Sequence, residues 1–334
     1  MAVMSYSLAA ATALAEAMEA DASVVALGED LGRGGIFAQY RGLQQRFGTD
    51  RVIDTPISEA TIMGAAVGMA LAGLRPVVEL RVVDFALCAM DELINQAAKN
   101  RFMFGGQGRV PLVARMPIGL WTASAAQHSQ SLEAWFTHIP GLVVVTPAAP
   151  DDNYGLLASA LASGDPVVYM EHKELWGVEG EVAPGTHVPL GSARVLRRGD
   201  DMTIVSWSKA VSTCVAAAEE LSRAGIAADV IDLRTLWPWD RDTVLDSVAR
   251  TGHLLVVHEA IQVSGFGAEI AAAAAEATGC RVRRLGAPRI PSGYATSLEN
   301  ESRVTPAGVT DAARALLRAG SARPATEAPR AKQG

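Results

Sequence analysis

Four side chains in this sequence have types and positions suited to chemistry: Glu29, Glu59, Phe85 and His128. Glu59 lies in the stretch Thr55-Pro-Ile-Ser-Glu-Ala-Thr-Ile-Met-Gly-Ala-Ala-Val-Gly-Met-Ala-Leu-Ala-Gly73. Pro56 blocks regular structure ahead of it and Ser58 is a good N-cap, which puts Glu59 in the first turn of a helix. Taken alone, a carboxylate there only complements the positive end of the helix dipole, worth about 0.3–1 kcal/mol. Glu29 alone reads as a solvated loop acid, Phe85 as core and His128, between Gln127 and Gln130, as a surface loop residue. Their joint placement is what raises a functional reading. Each follows an expected strand, and in open α/β sheets ligands bind beyond the carboxyl ends of the strands. An acid, an aromatic ring and a histidine converging on one sheet edge is what a site for a planar heterocycle needs. His138, His172, His187, His253 and His258 lack such company and read as structural or surface residues.

The elements that must position these groups follow from the apolar runs. Strands are expected at Ser23–Gly28, Arg51–Asp54, Pro76–Val83, Val110–Arg115, Leu142–Val145 and Pro166–Met170. Helices are expected at Ser7–Ala20, from Glu59 onward, at Ala86–Phe102 and at about 151–162. Alternating strands and helices indicate a mostly parallel α/β sheet. Gly64, Gly68 and Ala72 recur every four residues and share one helix face. An interior glycine costs about 1 kcal/mol against alanine. Two on one face indicate another backbone approaching closely, so the helix is expected to be deeply buried and to lie at a subunit interface. The glycines after Glu29 do not form a dinucleotide fingerprint, because no G-x-G-x-x-G opens a helix there.

Residues 173–200 carry Gly, Pro and Glu with little periodicity. A second α/β unit then begins, with strands at Met202–Trp207, Ala227–Leu233 and His253–His258 and helices near Ala210–Arg223, Asp240–Ala249, Gly267–Ala277 and Pro306–Arg318. The expected architecture is two doubly wound α/β domains: 1–185, a linker at 186–200, 201–320 and a disordered tail at 321–334. No internal repeat is evident.

Composition bounds the function. Of 334 residues, 49% are hydrophobic and only 19% charged, a surplus that suits a substantial subunit interface. No uninterrupted apolar run has the length of a membrane span, about 18 residues or more, and the N-terminus lacks the basic flank and cleavage site expected of a signal peptide. The net charge of −7 argues against nucleic acid as a partner. Cys88, Cys214 and Cys280 have no metal or redox spacing and read as reduced core residues. A cytoplasmic location is expected.

With those residues in view, the chain resembles the beta subunit of the thiamine-diphosphate-dependent decarboxylating component of 2-oxo acid dehydrogenase complexes, in the transketolase superfamily. The resemblance covers about residues 5–318. It rests on Gly28-Glu-Asp, Asp54-Thr-Pro-Ile-Ser-Glu-Ala, Ala72-Gly-Leu-Arg-Pro-Val-Val-Glu, Asn95-Gln-Ala-Ala-Lys, Ala126-Gln-His-Ser-Gln, Ile231-Asp-Leu-Arg-Thr-Leu, Pro238 and Gly265-Phe-Gly-Ala-Glu-Ile. Asn95 to Gly106, Phe136-Thr-His-Ile-Pro-Gly-Leu and Glu171-His-Lys look most like the acetoin dehydrogenase branch. The resemblance implies a pyrimidine-binding domain followed by a transketolase C-terminal-like domain. It also implies roles. Glu59 hydrogen-bonds N1′ of the aminopyrimidine, Phe85 stacks on that ring, Glu29 links to Glu59 through water, and His128 faces the substrate.

The family's Gly-Asp-Gly motif, which holds the diphosphate through Mg²⁺, is absent here. In the two-subunit branch it lies on an alpha chain. The resemblance therefore implies an α2β2 heterotetramer in which the partner holds Mg²⁺ and this chain has no metal site of its own, with a lipoyl-bearing acyltransferase as the further partner. Arg81, Ile118, Trp121 and the segment 292–302 depart from the family pattern and leave the substrate open. The polar residues of the family's potassium site differ near Ala160 to Asp165, and no such site is assigned. Three readings stand: 2-oxo acid decarboxylation with acyl transfer to lipoamide, acetoin cleavage or another two-chain acyloin- or transketolase-type transfer, and a non-catalytic assembly subunit. Intact Glu59 and His128 argue against the last.

Overall fold

The structure, a computed structural model, describes residues 1–35 and 37–321. Its strands are β1 (Ala2–Ser5), β2 (Val24–Gly28), β3 (Val52–Asp54), β4 (Arg75–Glu79), β5 (Val113–Arg115), β6 (Val143–Val145), β7 (Val167–Tyr169), β8 (Glu179–Val182), β9 (Arg194–Arg197), β10 (Met202–Ser206), β11 (Ala228–Asp232), β12 (Thr235–Trp237), β13 (His253–Ile261) and β14 (Arg281–Ala287). The central ones are continuous apolar runs, the pattern of strands covered on both faces. All five residues of β2 and of β10 are buried.

Seven strands form the first sheet, in the order β12-β6-β7-β5-β4-β2-β3. All pair in parallel except β12, which runs antiparallel to β6. Five form the second, in the order β14-β13-β10-β11-β9, with β9 antiparallel at its edge. A separate ribbon pairs β1 with β8, Ala2 opposite Val182. One apolar core runs from Leu27, Ile62 and Val78 of the first half to Val205, Trp207 and Ile231 of the second.

Several expectations are corrected. The stretch expected as a linker, 186–200, contains β9, an edge strand of the second sheet. The first sheet is completed by β12, from the second half of the chain. The strand expected to reach Val83 stops at Glu79, and the expected regular helix at 86–102 is three windings: a 3₁₀ helix at Val83–Ala89, a π helix at Asp91–Ala97 and an α-helix at Ala98–Met103. Val83, Ala86 and Ala89 are buried at a spacing of three, and residues i and i+3 eclipse in a 3₁₀ helix.

The Glu59–Leu71 helix is not buried all round. Ile62, Met63, Ala66, Val67 and Ala70 face the core, while Ala65, Gly68, Leu71 and Ala72 are exposed. A Cβ on Gly68 would meet nothing within 4 Å, and one on Gly64 would meet only Glu92 Cγ at 3.5 Å. Ser58 holds the N-cap position, but its hydroxyl bonds Thr61 Oγ1 at 2.8 Å, not a backbone N–H. Of the cysteines, only Cys214 is a core residue, its thiol pushed up to about 12 by burial; Cys88 is exposed and Cys280 half-buried. The last helix, Pro306–Ser321, extends past Gly320, and the expected tail from residue 322 lies outside the described residues. No helix among the described residues is long and apolar enough to cross a membrane.

Candidate active-site edge

The strands that precede the four candidate residues are neighbours, in the order β5-β4-β2-β3. Their carboxyl ends are in register: Gly28 lies opposite both Asp54 and Glu79, and Glu79 opposite Arg115. The chain therefore leaves the sheet four times along one edge, and Glu29, Glu59, Phe85 and His128 lie in the segments that follow. Gly28 allows this close exit, because a Cβ there would sit 2.6 Å from the Glu79 carbonyl oxygen. All four residues are half-buried.

Electrostatics and ring contacts tie them in pairs. Burial raises the Glu29 carboxyl above the usual range, and the charge of Glu59 raises it further, against the pull of Arg81. The rings of Phe85 and His128 meet edge to face, with centroids 5.2 Å apart and planes at 81°. Among the described residues, the Glu59 carboxylate has no hydrogen-bond or ion-pair partner. It is an open acceptor on this edge, as is the Glu29 carboxylate.

Beneath the edge lies a polar cluster that sequence reasoning missed. Arg115, with no exposed surface, bonds Glu171 through Nε at 2.9 Å and Nη2 at 2.5 Å. Its Nε is 3.8 Å from Glu79. Gln39 and Tyr40 donate to Glu79 at 3.0 and 2.8 Å, and Asn153 donates to Glu171 at 2.9 Å. Burial pushes Glu79 up to about 7, opposed by Arg115. The available signal was positional: charged residues close the apolar strands β4 and β5, and a third follows β7. Also missed were Lys173, which donates to the His128 carbonyl, and the pair His172 and Glu259, 2.8 Å apart across the two halves of the chain.

A cleft of about 620 Å³ lies between the two halves, lined in part by Ala126, Gln130, Trp135, Glu259 and Arg289. None of the four candidate residues lines it. No group of three or more His, Cys, Asp or Glu among the described residues is placed to hold a metal ion. What the edge offers is a free carboxylate beside a second acid, and an aromatic ring beside an imidazole, on a surface this chain leaves open.

Residues 2–179 match the transketolase pyrimidine-binding domain and residues 191–309 the transketolase C-terminal domain. The chain is 40% identical over 333 residues to the acetoin:2,6-dichlorophenolindophenol oxidoreductase subunit beta of Cupriavidus necator, covering 95% of this chain and 98% of that one. It is 40% identical over 324 residues to the 2-oxoisovalerate dehydrogenase subunit beta of Bacillus subtilis, covering 95% and 99%. Among solved structures, a split-gene transketolase described as an inactive beta4 tetramer superposes with a TM-score of 0.79 at 22% identity, covering 93% of this chain and 97% of that one, and so shares the fold.

Proposed function

This chain belongs to the beta-subunit family of the thiamine-diphosphate-dependent 2-oxo acid and acetoin dehydrogenases, and from that premise we propose that it supplies the pyrimidine half of a site completed by an alpha subunit. One observation carries the reading: Glu59 presents an unpartnered carboxylate on the open sheet edge that also bears Glu29, Phe85 and His128. The residues fit the group. An acceptor, a neighbouring acid and a half-exposed ring suit an aminopyrimidine, and the edge is open where a partner would close it.

When bound, thiamine diphosphate supplies the electron sink for breaking the bond beside a carbonyl carbon. The protein supplies position and proton control. Glu59 would hold the proton at N1′ of the pyrimidine. Burial, and then the charge of Glu59, raises the Glu29 carboxyl, which suits Glu29 to hold a proton beside Glu59. Phe85 would pack on the ring, and His128, edge-on to Phe85, would face the substrate and move protons there. Mg²⁺ and the diphosphate fall to the alpha chain, since no Gly-Asp-Gly occurs here.

The reaction is decarboxylation of a 2-oxo acid with acyl transfer to the lipoyl group of an acyltransferase, in an α2β2 enzyme. Acetoin cleavage is the second reading, favoured by the full-length likeness to an acetoin oxidoreductase subunit. A substrate screen on the reassembled enzyme with an artificial electron acceptor separates them.

The test of the split site is calorimetry. Thiamine diphosphate is expected to bind the isolated chain weakly, and to bind tightly and with Mg²⁺ dependence once the alpha chain is added. Tight Mg²⁺-dependent binding by this chain alone would sink the proposal.

A further inference from the structure

The loop that carries His128 holds an unfavourable backbone. Thr122, Ala123 and Ala125 have φ of 45°, 57° and 63°. This left-handed region is disfavoured for residues with a Cβ, and such residues persist there only where their surroundings over-determine them. Four contacts hold the loop at its two ends, and a fifth braces one of them. The Gly119 N–H donates to the Gln130 carbonyl at 3.0 Å and closes the neck of the loop. Gln130 Nε2 donates to Asp84 Oδ1 at 2.7 Å, beside Phe85. The Leu120 N–H donates to Glu259 Oε1 at 2.8 Å. The same oxygen lies 2.8 Å from His172 Nε2. Finally, Lys173 Nζ donates to the carbonyl of His128 itself.

Lys173 is 2% exposed. Burial pushes its amine down to about 8, although Asp84, Glu259, Glu299 and Glu174 pull the other way. Burying an ammonium is costly, and a hydrophobic side chain of similar volume is often equal or better for stability. A methionine would fill this space. What methionine could not do is direct a strong donor at one backbone oxygen, and that oxygen belongs to His128.

We propose that Lys173 is a positioning residue for the reaction: its buried amine fixes His128 through the backbone carbonyl, while Glu259, from the second sheet, fixes the start of the same loop with His172. The inference rests on the reading that His128 faces the substrate. It gives the second half of the chain a part in catalysis through β13, on which Glu259 sits.

The experiment is a double-mutant cycle in the enzyme reassembled with its alpha chain. Lys173→Met is expected to lower kcat by about tenfold to 10²-fold, the range for a displaced catalytic group. Lys173→Arg, which keeps a donor cation, is expected to recover most of that loss. In a His128→Ala background the Met substitution is expected to change kcat less than about twofold, because the residue acts only through His128. A full, additive loss in that background overturns the proposal. A second readout is free of activity: the rate at which diethylpyrocarbonate modifies His128 in this chain alone, mapped by mass spectrometry. Lys173→Met is expected to change it severalfold. A changed modification rate with unchanged kcat would show a contact that serves no step of the reaction, and would overturn the proposal. Unchanged rates in both assays would overturn the positioning. Should the Met variant not fold, Lys173→Leu, which also has no donor, goes through the same cycle with the same outcomes.

Discussion

Glu59 stands at the start of a helix with a carboxylate that no described neighbour satisfies. Two accounts of it differ in size. As a complement to the helix dipole it is worth at most about 1 kcal/mol. As the acid that shares a proton with a bound pyrimidine, it contributes on the order of 10²–10⁴ in rate, or roughly 3–5 kcal/mol of barrier. Glu59→Gln is therefore expected to leave assembly intact and to slow hydrogen–deuterium exchange at C2 of bound thiamine diphosphate by at least about 10²-fold. Equal exchange rates in the variant and the parent would reduce Glu59 to a dipole partner. The placement of Glu29, Glu59, Phe85 and His128 beyond the ends of neighbouring strands was legible in the sequence because each follows an expected strand of an alternating α/β pattern. Lys173, Glu259 and the Glu79–Arg115–Glu171 cluster were not. Leu120 and Glu259 are 139 residues apart, and only the folded chain brings them together.

The Glu59–Leu71 helix shows the same division at the level of elements. Its four-residue glycine spacing led to an expectation of deep burial, but the structure leaves that face open in the single chain. Ile57, just ahead of the helix, is 77% exposed and adds to the uncovered apolar surface. A face of small residues with nothing against it is suited to close approach by a second subunit. Gly68→Leu separates the two settings. In the isolated chain the new side chain meets open space, and replacing a helix-interior glycine by leucine is expected to stabilise by up to about 1 kcal/mol. In the assembled enzyme it is expected to overpack the contact and cost about 1–3 kcal/mol. Thermal melting of the chain alone, beside sedimentation of the mixture with the alpha chain, measures both. Unaltered assembly would place the interface elsewhere. The short strands β9 and β12 were not legible, since three or four residues carry too little pattern to distinguish a strand from a loop.

At the scale of the molecule, the two expected domains are tied together by more than a linker. Strand β12 leaves the second half to pair with β6 of the first sheet, Thr235 opposite Val145. Trp207, buried just past the end of β10, donates its indole N–H to the buried Glu133 carboxylate at 2.8 Å. Arg234 pairs with Asp152 at 2.7 Å, and Arg194 reaches Asp151 at 2.8 Å. Burial holds Asp152 above the usual carboxylate range, and Arg234 opposes that shift, so this contact would be costly to open. With one apolar core spanning both halves, separating them would expose core and leave buried carboxylates without their donors. Calorimetry of the isolated chain is expected to show a single cooperative transition rather than one per sheet. Trp207→Phe removes the donor and part of the buried ring. It is expected to cost at least about 1–3 kcal/mol, the penalty of an orphaned buried acceptor, with a cavity cost added to it. If the halves unfold together, the transition moves down by a few degrees as one peak. If they are independent, the weakened contact splits the trace into two peaks, and the second sheet would then be a separately folding domain attached by β12 alone.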